Sequence, residues 1–168
     1  MDLVTAYTDG SASVAGKNAG RAGFGTYFPD LKGKRRAFSK GFIGKTGQAE
    51  TMALLYALKA VHAAYDTPVT LMVVSDSEYV VKTITEGRLS KWRKAGWINT
   101  SGVVKNKELW CEIYSLAFQQ HITLKMKHIR SHKADKLKGD EFKAFIAENP
   151  HILGNMVADR LANYKQFL

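Results

Sequence analysis

Hydrophobic and polar residues follow two different periods along the chain. Residues 3–8, 22–28 and 36–42 alternate between apolar and polar side chains and are separated by glycine-rich stretches, which predicts three strands of an antiparallel meander. From residue 47 to 64 the apolar side chains recur every three or four positions, as in an amphipathic helix. Residues 69–75 are rich in β-branched side chains and predict a buried strand.

The second half of the chain predicts more helices and one more strand. Ser77 is a candidate cap for a helix over 77–86, a short basic helix follows near 89–95, and Asn106 is a candidate cap for a helix ending near residue 119. Residues 122–129 alternate as a fifth strand, and the last helix is predicted to begin near Asn155. Helical crossovers after the third and fourth strands favour parallel neighbours, so we expect an α/β fold with a mixed sheet.

Composition narrows the class of protein. The 168 residues carry no internal repeat or linker, so a single domain over 1–168 is expected. A hydrophobic content of 45% argues against disorder, and a single cysteine, Cys111, excludes an intramolecular disulfide. No apolar run is long enough for a membrane span and no secretory signal is visible. We therefore expect a soluble cytoplasmic protein, with the monomer as the default state.

The net charge of +10 is concentrated in three stretches, residues 32–45, 88–107 and 125–138. The first two contain no acid, and the third contains only Asp135. Each stretch alone could be a solvated surface, but three together favour a polyanionic partner such as nucleic acid. The middle stretch mixes bases with aromatic rings that can neutralise phosphates and stack on sugars or bases; these residues are Lys91, Trp92, Arg93, Lys94 and Trp97. A tryptophan can instead be part of the core, and we expect one of these two to be buried.

Four acids are candidates for chemistry. Asp9 and Asp76 each end a predicted strand, whereas Glu50 and Asp159 lie near the start of predicted helices among apolar residues. Sites in α/β sheets gather at the carboxyl ends of strands, and acids converging on a basic surface imply a divalent cation, with oxygen ligands suiting Mg²⁺ or Mn²⁺. Each acid also has an ordinary interpretation: a turn at Asp9, a helix cap at Asp76, and helix-dipole or ion pairing for the other two.

The joint pattern resembles the type 1 ribonuclease H family. The matching segments are YTDGS at 7–11, QAETMALLYAL at 48–58, SDSEYVV at 75–81 and GNMVADRLA at 154–162, in the family's order. KWRKAGW at 91–97 and VKNKELW at 104–110 are similar to the basic protrusion of bacterial members and the helix after it. The resemblance covers essentially the whole chain, with the protrusion at about 88–107.

The resemblance implies a ribonuclease H-like fold, with a five-stranded mixed sheet (three antiparallel strands plus two parallel) flanked by helices. It implies an endonuclease that cuts the RNA strand of an RNA–DNA hybrid and leaves 5′-phosphate and 3′-hydroxyl ends. The matched tetrad of Asp9, Glu50, Asp76 and Asp159 would hold two Mg²⁺ ions, with Mn²⁺ as a possible substitute. His132 in IRSHK would assist proton transfer or product release. The implied substrate contacts are Ser11, Gln48, Lys91, Trp92, Arg93, Lys94 and Trp97.

Three departures from the family pattern affect substrate recognition. The usual amide pair before the glutamate is missing from GKTGQAE at 44–50, where only Gln48 offers an amide for 2′-hydroxyls. Glu78 stands where many members carry glutamine, and the segment at about 133–153 is longer than usual, with an extra helix expected at 140–148. Two alternatives stay open: another metal-dependent nuclease or polynucleotidyl transferase of this fold, and a catalytically inert nucleic-acid-binding domain.

Overall fold

The structure, a computed structural model, describes residues 1–118, 121–130 and 135–166. Within these ranges no helix has the length and apolar character needed to cross a lipid bilayer. In chain order the strands and helices are β1 (Asp2–Ala12), β2 (Arg21–Leu31), β3 (Lys34–Ile43), α1 (Thr46–Ala64), β4 (Val69–Ser75), α2 (Glu78–Thr85), α3 (Arg88–Lys94), β5 (Ile98–Asn99), β6 (Gly102–Val103), α4 (Lys107–Ala117), β7 (Ile122–His128), α5 (Gly139–Glu148) and α6 (Pro150–Gln166).

One five-stranded sheet, in the order β3-β2-β1-β4-β7, organises the fold. β1, β2 and β3 pair antiparallel, whereas β4 pairs parallel with both β1 and β7. The mixed sheet predicted from the sequence, with three antiparallel strands and two parallel ones, is therefore confirmed. β5 and β6 form a separate two-stranded hairpin, which the sequence did not predict. In the parallel register Thr8 pairs with Ser75. Asp9 and Asp76 follow these two residues in the chain, so they lie at neighbouring positions of the sheet.

Two helices cover opposite faces of the sheet at β1. α1 buries Leu54, Leu58 and Val61 completely, and its backbone lies against Gly10. α6 lies against Gly25, which is opposite Asp9 in the β1–β2 register. Residues opposite each other in an antiparallel pair point to the same face, whereas consecutive residues point to opposite faces. Asp9 therefore points toward α6, and Gly10 faces α1.

Several predicted boundaries differ from the structure. The last helix begins at Pro150 and not near Asn155, because proline fits the first helical position, where its missing N–H costs nothing. The extra helix expected at 140–148 is confirmed as α5. α4 ends at Ala117, and the predicted end of that helix at residue 119 lies outside the described residues. Neither Trp92 nor Trp97 is fully buried, so the expectation that one of them is buried was wrong.

Trp110 is the tryptophan that joins the core. Its side chain has no exposed surface, and its indole Nε1 donates to the Tyr79 hydroxyl at 2.7 Å. Asn106 occupies the cap position of α4, as predicted, but its side chain does not cap the helix. Its amide instead donates to the same Tyr79 hydroxyl at 3.2 Å. Tyr79 of α2 thereby links the start of α4 to the core.

Candidate active site

Asp9 lies within β1, three residues before the strand ends. The prediction that Asp9 ends the strand was wrong, and so was the alternative interpretation of a turn at Asp9. β1 continues through Ala12, and Gly10 and Ser11 stay paired with β2. A Cβ on Gly10 would overlap the backbone of Ala49 and Glu50, so this glycine is required for the close approach of α1. The Asp9 side chain is only 6% exposed, and its Oδ1 accepts from the Gly10 amide at 2.9 Å.

Glu50 is the fifth residue of α1, beyond the first turn where it was predicted. It therefore gains little from the helix dipole, which acts within the first turn. The Ser77 hydroxyl donates to its Oε2 at 2.7 Å and also accepts from the Val80 amide, which confirms Ser77 as the cap of α2. Burial raises the pKa of Glu50, the Ser77 hydrogen bond lowers it, and the charge of Asp76 raises it further.

Asp76 follows the last residue of β4, as the sequence predicted. Its side chain is half-buried, and its backbone carbonyl accepts from the His128 Nε2 at 3.2 Å. Because Ser75 and Thr8 are partners in the parallel register, Asp76 and Asp9 emerge at neighbouring points of the sheet. Asp76 is also close enough to Glu50 to raise the pKa of that carboxyl, and its charge raises the pKa of Asp9 as well. Asp76 therefore interacts electrostatically with both Glu50 and Asp9.

Asp159 is the tenth residue of α6, far from the first turn where it was predicted, because the helix begins at Pro150. The helix-dipole interpretation of this acid is therefore excluded. A Cβ on Gly25 would overlap the Ala158 carbonyl and lie 2.6 Å from the Leu161 Cβ, so α6 approaches β2 closely enough to bring Asp159 to Asp9. The carboxyls of Asp159 and Asp9 are hydrogen-bonded to each other.

The four acids form an electrostatically coupled cluster. The pKa of Asp9 is raised from 3.8 to about 9, first by burial, then by the charge of Asp76, and then by its hydrogen bond to Asp159 and that residue's charge. A hydrogen bond between two carboxyls requires a proton on one of them, which agrees with this direction. At neutral pH the metal-free cluster therefore retains a proton that isolated aspartates would lose.

The donor set fits a hard divalent cation. All four side chains offer carboxylate oxygens. Burial and then repulsion by neighbouring acids raise the pKa of Asp9, and a bound cation would remove the repulsion. Among the described residues no three Asp, Glu, His or Cys side chains are already gathered at metal-binding spacing. Neighbouring acids raise the pKa values of Asp9 and Glu50, but the side chains are not gathered around one point, so binding an ion requires them to move closer together.

A groove of about 590 Å³ lies beside the start of α1. Gln48 lines it together with Lys45, Lys105 and Asn106, so the first and second basic stretches meet there. The Gln48 side chain folds back toward Gly44, where a Cβ would overlap its Oε1. Ser11 is half-buried on β1, two residues beyond Asp9. The predicted substrate contacts did not include Lys45, Lys105 or Asn106. The sequence did contain a signal for the two lysines, because each belongs to a basic stretch.

The basic side chains of the protrusion lie next to aromatic rings that pack against α4. Lys91, Arg93 and Lys94 are exposed on α3, whereas Trp92 and Trp97 are half-buried against the core. The Trp92 ring lies edge-on to Trp110 at 6.1 Å and the Trp97 ring edge-on to Tyr114 at 6.5 Å, and the Arg93 guanidinium lies 5.0 Å over the Tyr114 ring. The aromatic packing holds α3 against α4 and directs its basic side chains outward.

His132, the predicted histidine of the site, lies outside the described residues. Glu78, at the position where many relatives carry glutamine, is exposed and pairs loosely with Lys82 at 4.0 Å. Sequence reasoning also missed Asn163, whose amide donates to the Asp159 carbonyl and to its Oδ1 at 3.0 Å. The spacing of four residues along a helix was the available signal for that contact.

A sequence model of one protein family covers nearly the entire chain: the model described as RNase H matches residues 1–166. The chain belongs to the ribonuclease H family. The motif resemblance that predicted this family is therefore confirmed. Members of the family depend on divalent metal ions, in agreement with the all-oxygen donor set of the acidic cluster.

Individual ribonucleases H resemble the chain over most of its length. It is 32% identical over 165 residues to a ribonuclease H of Acidovorax sp. (strain JS42), covering 97% of this chain and 94% of the relative. Its fold is similar to foamy viral protease-reverse transcriptase in complex with RNA/DNA hybrid, with a TM-score of 0.72, 21% identity, and coverage of 98% of this chain but only 20% of the viral chain. LC9-RNase H1, described as a type 1 RNase H with the type 2 active-site motif, matches with a TM-score of 0.68, 20% identity, and coverage of 98% and 72%. At these identities the structural matches support the fold.

Proposed function

We propose that the protein is a type 1 ribonuclease H that hydrolyses the RNA strand of RNA–DNA hybrids. Water adds to the phosphorus of an RNA phosphodiester while the bond from phosphorus to the 3′-oxygen breaks, which leaves a 5′-phosphate and a 3′-hydroxyl. The observation that carries the proposal is the coupling of Asp9 to Asp76 and Asp159, in a chain that matches the family over residues 1–166. Burying mutually repelling acids is costly unless they bind a cation.

The proposed ligands of two Mg²⁺ ions are Asp9, Glu50, Asp76 and Asp159, and Mn²⁺ is the expected substitute. Such ions supply charge neutralisation, activation of the attacking water and stabilisation of the departing 3′-oxygen. The remaining residues of the site orient the carboxylates. Ser77 donates to Glu50 and Asn163 donates to Asp159, so two of the four ligands are held by neighbours on α2 and α6.

The proposed proton carrier is His132, which follows β7 by four residues in the chain. An imidazole changes its charge near neutral pH and is suited to accept a proton from water or to release product by protonation. This role stays a prediction from the sequence. It is tested by His132→Ala, for which we expect a fall in kcat with unchanged affinity for the hybrid.

The proposed path of the hybrid runs over the groove beside α1 and over the protrusion. Lys45 and Lys105 line the groove with Gln48, and their ammonium groups suit phosphates. On α3, exposed bases are available for further phosphates, and the half-buried rings of Trp92 and Trp97 are available for sugars. Gln48 and Ser11 are the proposed groups that read 2′-hydroxyls, since such polar side chains can exchange hydrogen bonds with ribose.

Two other functions are weighed against this proposal. Another nuclease or polynucleotidyl transferase of the same fold would use the same acids, but the protrusion with its tryptophans favours the hybrid nuclease. An inert binding domain would gain nothing from four coupled acids at a basic surface. A cytoplasmic location and a monomeric state stay predictions from the sequence.

The test is a cleavage assay with four labelled substrates: RNA–DNA, RNA–RNA, DNA–DNA and single-stranded RNA, each with and without Mg²⁺. We expect metal-dependent cutting of the RNA in the hybrid alone. Asp9→Asn should abolish cleavage while binding of the hybrid survives, and Asp66→Asn, at an exposed acid outside the cluster, is the matched control. Cutting of duplex DNA would favour another nuclease, and binding without cutting would favour the inert domain.

A further inference from the structure

Two asparagines bracket Asp159 on one face of α6. Asn155 precedes it by four residues and Asn163 follows it by four, a spacing that brings side chains on a helix together. Asn163 donates its amide N–H to the Asp159 Oδ1 at 3.0 Å. Asn155 is only 4% exposed, and its carbonyl Oδ1 has no hydrogen-bond partner among the described residues.

A buried amide oxygen without a partner destabilises a folded protein unless a donor reaches it. The neighbouring carboxylate of Asp159 cannot fill that role, because a carboxylate and an amide oxygen both accept hydrogen bonds. Only a group that donates in two directions can join them. Water is such a donor, since one molecule has two O–H bonds.

The two residues share a small cavity of about 70 Å³. Its other lining residues are Asp135, Met156 and Arg160. A water molecule needs roughly 10–15 Å³ of such space and two to four polar partners. The cavity therefore has room for ordered water. Arg160 also lines it, and a guanidinium can donate to the water's own oxygen.

We propose that Asn155 is a positioning residue that holds a water molecule against Asp159. The water donates one hydrogen to the Asn155 Oδ1 and the other to the Asp159 carboxylate. Asn163 holds the same carboxylate from the other side, so the two asparagines together fix the orientation in which Asp159 faces Asp9. The inference rests on the proposed function, because it treats Asp159 as a ligand of the catalytic ions.

The first test is a high-resolution crystal structure of the unmodified protein without metal. We expect an ordered water within hydrogen-bond distance of both the Asn155 Oδ1 and the Asp159 carboxylate. A protein group on that oxygen, or no water between the two, would overturn the inference. This measurement needs no activity, so it stays decisive even if the hybrid is not cleaved and the proposed function fails.

The second test is kinetic. Asn155→Leu has similar volume but no acceptor, so we expect kcat on the hybrid to fall about tenfold or more, as for other residues that orient metal ligands, with KM changed by less than about twofold. The melting temperature should be unchanged or higher, because an apolar side chain replaces a buried polar one. Met156→Leu, which lines the same cavity without polar atoms, is the matched control and should keep the original kcat.

The outcomes separate the possible roles. A lower melting temperature with unchanged kcat would show that Asn155 is only structural, and an unchanged kcat at unchanged stability would show no role. Either result overturns the inference while the unmodified protein still cleaves the hybrid. A fall in kcat accompanied by loss of the crystallographic water in Asn155→Leu supports it.

Discussion

Replacing Asp9 by a side chain that cannot ionise should stabilise the metal-free protein. The pKa of this carboxyl is raised from 3.8 to about 9, so between these values the folded protein binds a proton that the unfolded chain does not. Stability therefore falls as pH rises from about 4 to about 9, by about 1.4 kcal/mol per pH unit. At pH 7, about three pH units above the pKa of Asp9 in the unfolded chain, the raised pKa lowers the free energy of unfolding by about 4 kcal/mol. This figure is an upper limit, because the proton is shared with neighbouring acids.

Asp9→Asn keeps the shape of the side chain and an oxygen for the Gly10 amide, but it cannot ionise. A gain of about 4 kcal/mol corresponds to a rise in melting temperature of roughly 8–16 °C for a protein of this size, so we expect an increase of several degrees at pH 7 in EDTA. The increase should grow toward pH 9 and vanish near pH 4. Adding Mg²⁺ should stabilise the unmodified protein more than the variant.

The assay is thermal unfolding followed by circular dichroism at pH 4, 5.5, 7 and 8.5, with Asp66→Asn as the control for loss of one negative charge elsewhere. An equal or lower melting temperature for Asp9→Asn at pH 8.5 would refute the reasoning. A difference that does not shrink toward pH 4 would refute the titration argument and leave only a packing effect.

Three further predictions test the surroundings of the site. Glutamine at all three exposed bases of α3 (Lys91, Arg93 and Lys94) should raise KM for the hybrid and flatten its salt dependence by about 0.9 in log–log slope per lost phosphate contact, and an unchanged slope would remove α3 from the substrate path. Gly25→Ala should lower the free energy of unfolding by roughly 1–3 kcal/mol in urea because it forces α6 away, whereas Gly47→Ala, whose Cβ would lie in ordinary contact at 3.6 Å, should not. Tyr7→Phe removes a 2.8 Å hydrogen bond to His151 and should cost about 0.5–1.5 kcal/mol at pH 8. Burial lowers the pKa of that histidine, so the unmodified protein should lose stability relative to His151→Gln as pH falls below about 6.5. A difference in urea midpoint between these two proteins that stays constant from pH 8 to 5.5 would contradict this.

Local patterns in the sequence were sufficient to predict the sheet and the order in which the four acids follow the strands and helices along the chain. Strand alternation, the helical period of α1 and the crossovers that follow β3 and β4 each depend on near neighbours in the chain. Asp76 at the end of β4 and the Ser77 cap of α2 were predicted for the same reason.

Features that depend on contacts between distant segments could not be predicted in this way. An Asp-Gly pair favours a turn locally, but Gly10 serves the approach of α1, and the strand continues past it. The Asn-Pro pair at 149–150 locally favours the end of a helix, yet the proline begins α6 and thereby places Asp159 deep in the helix. Trp110 became the buried tryptophan because Tyr79, 31 residues away, provides a partner for its indole N–H.

The helix that completes the acidic cluster is the last one along the chain. α6 packs on β1 and β2, which are synthesised well before it, and it carries Asp159. A nascent chain can therefore present Asp9, Glu50 and Asp76 before the helix that covers Gly25 has been synthesised. Until α6 docks, Asp9 lacks its carboxyl partner and the proposed ligand set is incomplete. Completion of the proposed ligand set therefore depends on the docking of α6 onto strands that precede it in the chain.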